Sequence, residues 1–177
     1  YPDENEDKPK TTPYQLFEKA KRVLEDSSAN YAWIVFDKDE HPRLPETFAE
    51  SQLAGVKIAF SSRSFEEWII MHFQKINTTF NVTECKDIKG KPTNCGSLLV
   101  PDCAQANCLT GHIRRQNFIL DYSKKKTFDL FAAVNYLTEI AIVNAAWLRF
   151  QVNASLNTAQ PVLQNLNPYT DVDQLIL

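Results

Sequence analysis

Apolar and polar positions in the first part of the chain follow a helical pattern and then an extended one. After Pro13, apolar residues recur at helical spacing as far as Leu24, which predicts an amphipathic helix capped by Thr11 or Thr12. Residues 31–36 are continuously apolar and rich in β-branched and aromatic side chains. This composition predicts a strand buried on both faces, as in a parallel sheet.

A second strand and two more helices follow. Residues 45–53 have a helical pattern that ends before Gly55, residues 56–60 form a second apolar run, and residues 65–73 are again helical. The order strand, helix, strand, helix predicts an α/β fold built on a βαβ unit with a right-handed crossover. Ligands of open α/β sheets bind at the carboxyl ends of the strands, so the residues that follow both strands are expected at one edge.

The second half of the chain has a different character. Apolar periodicity fades over residues 77–126, which predicts an irregular insertion, and residues 127–151 are predicted to be one long helix. The expected core stripe of that helix consists of Leu130, Val134, Leu137, Ala141, Asn144 and Leu148. Thr170 is expected to cap a last helix over residues 171–177. Asp171 and Asp173 would complement the dipole of that helix, and no function is assigned to them.

Composition and charge narrow the range of functions. The chain has 177 residues, 44% of them hydrophobic, which fits a single packed domain. The net charge is −3, so any binding of nucleic acid must come from a local basic patch, such as Arg114 and Arg115 or the run Lys124–Lys126, unless these are solvated faces. None of the four glycines belongs to a phosphate-binding GxxxxGK loop, so nucleotide hydrolysis would come from another chain.

No contact with a membrane is expected. The most apolar stretch, residues 130–150, contains four strongly polar residues, which predicts a long buried helix instead of a membrane span. These residues are Asn135, Glu139, Asn144 and Arg149. The sequence shows no signal peptide pattern, so we expect a cytoplasmic protein.

Two acidic residues follow the first predicted strand directly. Alternate residues of an extended chain point to the same side, so Asp37 and Asp39 can both face one hard cation such as Mg²⁺ or Mn²⁺. The alternative is a solvated acidic turn that ends the strand. We favour a metal site, because the strand is so apolar and its end lies where such sheets bind ligands.

A second group of polar residues opens the third predicted helix. Ser64 and Glu67 have the S-x-x-E spacing of a capping box, which predicts a structural role for Glu67. Glu66 is either a favourable charge at the helix N-terminus or a functional acid. A lone histidine on an apolar helix face, as His72 is, is more often a hydrogen-bonded core residue than a ligand or a base.

All four cysteines lie in the predicted insertion: Cys85, Cys95, Cys103 and Cys108. Four thiols in a segment without an evident core suggest a structural zinc site, whose metal would supply the folding energy. The spacing lacks the usual C-x₂-C pair, so other roles stay open. Disulfides are one alternative, although they fit poorly with a cytoplasmic chain.

Several motifs, taken together and in order, resemble the RloB-like family, which is associated with bacterial abortive phage infection. The segments WIVFDKDE and VKIAFSSRSFEEWIIMHF match its acidic strand end and its F-E-x-W-x-x-x-H-F helix. A Tyr-x-Lys pair, Tyr122 and Lys124, and the sequence Asn-Pro-Tyr-Thr at residues 167–170 complete the resemblance, which covers nearly the whole chain.

The resemblance implies a Toprim-like α/β fold with a parallel sheet flanked by helices, and the pattern along the chain adds to it the cysteine-containing insertion and the long C-terminal helix. It implies a Mg²⁺-dependent nuclease that cleaves DNA or RNA and acts beside a partner ATPase in phage defence. The candidate site residues that it implies are Asp37, Asp39, Glu66, His72, Tyr122 and Lys124.

One part of the expected pattern is missing. Toprim-type sites also use a glutamate at the end of a strand before the first helix, whereas Glu4 and Glu6 lie in a polar stretch ahead of Pro13. We therefore expect either that an N-terminal strand precedes this sequence or that the active site is incomplete. In the second case the protein would be a non-catalytic interaction or sensor subunit of a defence complex.

Overall fold

A computed structural model of the chain describes residues 11–38, 41–80, 83, 108–119, 122, 129–156 and 163–176. The chain divides into two compact units, and all the candidate site residues named above belong to the second. The first unit is Tyr1–Ile34 with Glu40–Ile58, and the second is Val35–Asp39 with Ala59–Leu177.

Helices α1 (Pro13–Glu25) and α2 (Leu44–Ala54) pack against each other in the first unit. The backbone N–H of Gln15 donates to the Thr12 hydroxyl at 3.3 Å, and the Thr12 N–H donates to the Gln15 side chain at 2.9 Å. This capping box confirms the predicted start of α1. The predicted stop of α2 is confirmed as well, because Gly55 adopts a φ of 71°, which glycine reaches without steric cost.

Within the part of the chain that the structure describes, the sheet has three strands in the order β1 (Trp33–Asp37), β2 (Lys57–Ser62) and β3 (Tyr169–Thr170). The Lys57 N–H donates to the carbonyl of Ala32, and the Lys38 N–H donates to that of Ser61, both at 2.9 Å. These bonds join the beginnings and the ends of β1 and β2, so the two strands run parallel, as predicted. β3 pairs antiparallel with β2, with Thr170 opposite Ser61, so the sheet is mixed and not wholly parallel.

The prediction that β1 is buried on both faces is wrong. Ile34 and Phe36 are buried, whereas Val35 between them is 43% exposed. Alternating burial of this kind means that one face of the strand is covered by the core and the other is more open. Asp37 follows Val35 on the more open side and is half-buried.

The core of the second unit surrounds helix α3 (Glu66–Phe73), in which every residue from Glu66 to His72 is buried. Its packing partners include α4 (Leu109–Arg115) and α6 (Thr138–Ser155). The side-chain amide of Asn144 on α6 donates to the Met71 carbonyl at 2.8 Å. Leu109 and Ile113 of α4 are fully buried in this core, so part of the predicted irregular insertion is a packed helix.

The predicted long helix is interrupted. It consists of α5 (Leu130–Val134), a 3₁₀ turn (Asn135–Leu137) and α6. Ala141, Asn144 and Leu148 are buried as expected, whereas no residue of α5 or of the 3₁₀ turn is. The stretch Leu130–Ser155 is long and apolar enough to cross a membrane, and 22% of its most apolar window is buried in the protein, but core helices of soluble proteins meet the same test.

The C-terminal segment differs from the predicted capped helix. After β3 comes a 3₁₀ helix (Val172–Leu175), and Thr170 belongs to the sheet, where its hydroxyl lies 2.9 Å from that of Ser61. Asp171 accepts the N–H of Phe60, and the fully buried Asp173 forms an ion pair with Arg149. These acids therefore hold the C-terminal segment in place.

Candidate functional site

The ends of β1 and β2 lie side by side in the second unit. Asp37 is the last residue of β1, and the hydrogen bond from the next residue, Lys38, to Ser61 places it beside the end of β2. β2 ends at Ser62, and the chain then turns into α3. The expected convergence of the two strand ends is therefore confirmed, whereas Asp39 lies outside the described residues.

Two basic side chains lie at the same edge, and sequence reasoning missed them. The Lys38 ammonium donates to the carbonyl of Leu166 at 3.3 Å, and the Arg63 guanidinium donates to that of Phe80 at 3.2 Å. Burial, together with the nearby charge of Arg63, lowers the pKa of Lys38 below its usual value. The edge thus combines the carboxylate of Asp37 with two cations, which is an arrangement suited to an anionic ligand.

Glu66 is held by two hydroxyl groups. It is 1% exposed, and it accepts hydrogen bonds from Ser64 at 2.7 Å and from Tyr122 at 2.9 Å. Glu66 and Tyr122 are 56 residues apart in the sequence. The fold thus brings Glu66, which its place at the start of the helix had marked as a candidate, together with Tyr122, which only the family resemblance had indicated.

Glu67 does not have the predicted capping role. Among the residues that the structure describes, no side chain caps the start of α3, and the Ser64 hydroxyl bonds to Glu66 instead. The side chain of Glu67 is fully buried, and neither of its carboxylate oxygens has a hydrogen-bond partner among the described residues. Burial therefore raises the pKa of Glu67 well above its ordinary value. The predicted capping role of Glu67 is therefore wrong, whereas the functional role considered for Glu66 stays a prediction.

His72 occupies a core position, as its helix face suggested. It is 3% exposed, its Nδ1 lies 3.0 Å from the Trp68 carbonyl, and its ring meets the Trp68 ring edge-on. Burial lowers the pKa of His72, and hydrogen bonds to backbone groups of Trp68 and Ile69 oppose that shift in part. The catalytic role that the resemblance implies for His72 stays a prediction.

The Asn-Pro-Tyr-Thr segment meets the end of β2. The carbonyl of Phe80 accepts from both Arg63 and the side chain of Asn167, the latter at 3.1 Å. Tyr169 lies opposite Ser62 in the sheet. Ser62 Oγ and Asn167 Oδ1 are buried and make no hydrogen bond within the described part of the chain. Motifs far apart in the sequence are thus gathered around one strand end.

Of the four cysteines, only Cys108 belongs to the described residues. It is buried at the N-terminus of α4, where its sulfur accepts the N–H of Gly111 at 3.3 Å. Cys85, Cys95, Cys103 and Lys124 lie outside the described residues. Among the residues that are described, no three His, Cys, Asp or Glu side chains are grouped closely enough to hold a metal ion.

The zinc site remains a prediction with a direct test. If the four thiolates bind one ion, protein purified without added metal should contain about one zinc per chain by atomic absorption or native mass spectrometry. Replacing Cys85 with Ser should remove that zinc, because three ligands hold it far more weakly than four. Metal-free protein, or intact disulfides after preparation under reducing conditions, would contradict the zinc site.

One of three comparisons with known proteins identifies a family, and the other two find no match. The family model described as RloB-like protein matches residues 2–177, which is essentially the whole chain. No curated protein and no solved structure matches. The match covers both compact units and every candidate residue discussed above.

Proposed function

The chain belongs to the RloB-like family, and we propose that it is a metal-dependent nuclease that acts in defence against phage. The substrate would be DNA or RNA, and a separate ATPase of the same defence system would be its partner. The proposal includes the Toprim-like arrangement that the resemblance implies, with Mg²⁺ or Mn²⁺ as the cofactor.

The observation that carries this proposal is the parallel pairing of β1 with β2. It sets the carboxylate of Asp37 beside the turn that follows β2, with Lys38 and Arg63 at the same edge. The carboxyl ends of parallel strands are where α/β sheets bind their ligands. Cleavage of a phosphodiester can use a carboxylate that holds a cation and nearby basic groups that attract the phosphate, and both kinds of group lie at this edge.

The donors at this edge suit a hard cation. Asp37 offers carboxylate oxygen, which is the ligand type that Mg²⁺ prefers, and Asp39 lies two residues further along the chain. When bound there, the cation would activate water and stabilise charge on the phosphate. Lys38 and Arg63 would orient the substrate backbone by contacts with neighbouring phosphates. Glu66, fixed by Ser64 and Tyr122, would position the turn next to Asp37.

A second candidate function is a non-catalytic interaction or sensor subunit. The observation in its favour is that both oxygens of Glu66 already accept hydrogen bonds from protein hydroxyls, while His72 is buried against its own helix. Buried polar side chains are normally hydrogen-bonded in this way for structural reasons, so these contacts fit a structural role at least as well as a catalytic one. Under this reading, Lys38 and Arg63 would bind an anionic partner without cleaving it.

The test is cleavage of labelled single- and double-stranded DNA and RNA with Mg²⁺ or Mn²⁺ by Asp37→Asn, compared with the unaltered full-length protein. We expect a loss of cleavage on the order of 100-fold or more, because an amide replaces a charged metal ligand of the same shape. Thermal stability without metal should change little, since Asp37 is half-buried at a strand end.

Asp26→Asn is the matched control, because it also replaces an aspartate with asparagine, but at an exposed position directly after α1. It should cleave normally. Metal-dependent cleavage that survives Asp37→Asn would refute the assignment of the metal site. Absence of cleavage by the unaltered protein on all four substrates, together with unchanged nucleic-acid binding by Asp37→Asn, would favour the binding subunit.

A further inference from the structure

Two basic side chains of the second unit lie close together at the end of β2. Lys38 Nζ donates to the carbonyl of Leu166, and both Arg63 Nε and the side chain of Asn167 donate to the carbonyl of Phe80. Burial, and then the charge of Arg63, lower the pKa of Lys38, so the two cations are near enough to repel each other. Of the described residues, no Asp or Glu forms an ion pair with either. Two like charges held together without a counter-charge indicate a site for an anion.

A buried hydroxyl group lies on the same side of the sheet as Lys38. The backbone N–H of Lys38 donates to the Ser61 carbonyl, and that of Lys57 donates to the Ala32 carbonyl. Both bonds fit one register, in which Lys38 lies beside Ser62 and the two side chains point to the same face. Ser62 is fully buried, and its Oγ has no hydrogen-bond partner in the part of the chain that the structure describes. Because buried polar groups are normally hydrogen-bonded, this hydroxyl is a donor that a ligand can use.

These three side chains offer hydrogen-bond donors of three kinds to one anion. The Lys38 ammonium uses one N–H group on the Leu166 carbonyl and keeps the others, the Arg63 guanidinium keeps both terminal nitrogens, and Ser62 keeps its O–H. We propose that Lys38, Arg63 and Ser62 bind one terminal phosphate group, so that the substrate is a nucleic acid with a phosphorylated end. That the phosphate belongs to a nucleic acid rests on the proposed function.

A terminal phosphate fits this site better than a phosphate within the nucleic-acid chain. It carries a charge of about −1.5 to −2 at neutral pH and has three oxygens that accept hydrogen bonds, whereas an internal phosphate carries a single charge. Two cations and a hydroxyl therefore match it in charge and in number of acceptors. The burial of Ser62 favours the same ligand, because a chain end can reach inward where an internal phosphate is held back by the nucleotides on both sides. Lys38 and Arg63 are half-buried and have flexible stems, so their charged ends can move as the phosphate enters.

A second buried oxygen beside these donors suits the sugar of the terminal nucleotide. The side-chain amide of Asn167 shares the Phe80 carbonyl with Arg63, and its Oδ1 is buried without a hydrogen-bond partner among the described residues. Oδ1 can only accept a hydrogen bond, so it does not suit a phosphate oxygen, whereas a sugar hydroxyl can donate to it. The site thus combines donors for the phosphate with an acceptor for the neighbouring sugar.

The experiment measures how the full chain binds short single strands that differ only at their ends. Fluorescence anisotropy, without divalent metal and at one salt concentration, gives the dissociation constants of strands with a 5′-phosphate, with a 3′-phosphate and with hydroxyl groups at both ends, each as DNA and as RNA. We expect one phosphorylated form to bind roughly tenfold more tightly than the hydroxyl form, because its charge-assisted hydrogen bonds are strong. Inorganic phosphate should compete with that end and remove the preference.

Substitutions with matched controls test each part of the site. Arg63→Gln and Lys38→Gln should each bring the ratio of the two dissociation constants close to one. Arg22→Gln should keep the ratio, because it removes the same charge from an exposed position on α1. Ser62→Ala should lower the ratio several-fold without lowering the melting temperature, since the hydroxyl that it removes has no partner among the described residues. Ser51→Ala is its control, because Ser51 is equally buried and its hydroxyl equally without a described partner, but it lies on α2.

The outcomes separate this site from the nuclease activity. Equal binding of all strands, with Arg63→Gln weakening each of them by the same factor, would overturn the terminal-phosphate site, and cleavage that ignores the ends would leave the nuclease standing. A preference for a phosphorylated end without any cleavage would support the site and favour the non-catalytic binding subunit. Absence of binding to every strand would overturn the site. A preference that Ser62→Ala leaves unchanged would overturn the three-residue arrangement.

Discussion

Replacing Asp173 with alanine is expected to destabilise the second unit by about 3–5 kcal/mol, because it removes one partner of a buried ion pair. Asp173 is fully buried, and Arg149, whose side chain is 18% exposed, donates to both of its oxygens in a forked arrangement. Arg149 also donates to the Thr170 carbonyl at 2.9 Å. The ion pair thus holds the C-terminal segment, which contains β3, against α6. Urea unfolding of the variant and of the unaltered protein measures the loss.

The exposed pair Lys21–Glu25 on α1 provides the matched control. Its charges are 3.8 Å apart with 42% and 61% of the side chains exposed, so Glu25→Ala should change the free energy of unfolding by about 0.5 kcal/mol or less. Replacing both partners, as Arg149→Met with Asp173→Leu, should recover much of the stability, since no unpaired charge remains. A loss below about 1 kcal/mol for Asp173→Ala would mean that the ion pair does not hold β3 in place.

The start of α1 and the end of α2 could be predicted from the sequence, because interactions between residues close together in the chain determine them. α1 begins where Thr12 and Gln15 satisfy each other's backbone groups, and α2 ends where Gly55 adopts a left-handed conformation. The parallel pairing of β1 with β2 followed from the order of the elements and the connection between them. Each of these predictions depends on neighbours within a few positions or on one short crossover.

The errors concern contacts between distant parts of the chain. β3 has two residues, too few for any periodic pattern, and it exists because Thr170 pairs with Ser61 across 109 positions. The open face of β1 is a matter of what packs on it, which its uniform apolar composition could not reveal. Asp171 and Asp173 have the spacing of solvated first-turn acids, and only the positions of Phe60 and Arg149 give them another role.

In the candidate site too, features set by neighbouring residues could be predicted from the sequence, and features set by distant contacts could not. The position of Asp37 at a strand end was predicted from the apolar run before it, and its metal-binding role stays a prediction, whereas Lys38 and Arg63 were noticed only once the two strand ends were placed together. Glu66 was a candidate from its position at the start of the helix, whereas Tyr122 was indicated only by family resemblance, because the contact between the two residues spans 56 positions. The adjacent acids Glu66 and Glu67 were told apart by the S-x-x-E spacing, which proved misleading, since Ser64 donates to Glu66.

Glu67→Gln is expected to change the pH dependence of stability. Burial raises the pKa of Glu67 well above its ordinary value of 4.5, so the folded protein holds a proton that the unfolded chain releases. The stability tied to that proton is fully present below the unfolded pKa, and it is lost as the pH rises through the folded pKa. The glutamine side chain has nearly the same shape but does not ionise, so the Glu67→Gln variant should not lose stability in this way as the pH rises.

The measurement is the free energy of unfolding of both proteins at about pH 5 and about pH 8, and the quantity of interest is the difference between them. When the pH is raised from the lower to the higher value, the free energy of unfolding of Glu67→Gln should increase relative to that of the unaltered protein by roughly 2 kcal/mol or more. The unpaired amide of glutamine costs the same at both pH values and therefore cancels. The comparison also cancels Asp171, whose burial raises its pKa to about 6 and which titrates in the same range in both proteins.

Glu66→Gln is the control that makes the result specific, because it makes the same change one residue away. The carboxylate of Glu66 accepts from Ser64 and Tyr122, and an amide accepts such bonds more weakly, so this variant should lose about 1–3 kcal/mol at neutral pH. Relative to the unaltered protein, Glu66→Gln should therefore lose stability at neutral pH, whereas Glu67→Gln should gain stability as the pH rises from about 5 to about 8. If Glu67→Gln instead follows the unaltered protein in parallel across this range, Glu67 titrates like an exposed acid and is not sealed from water.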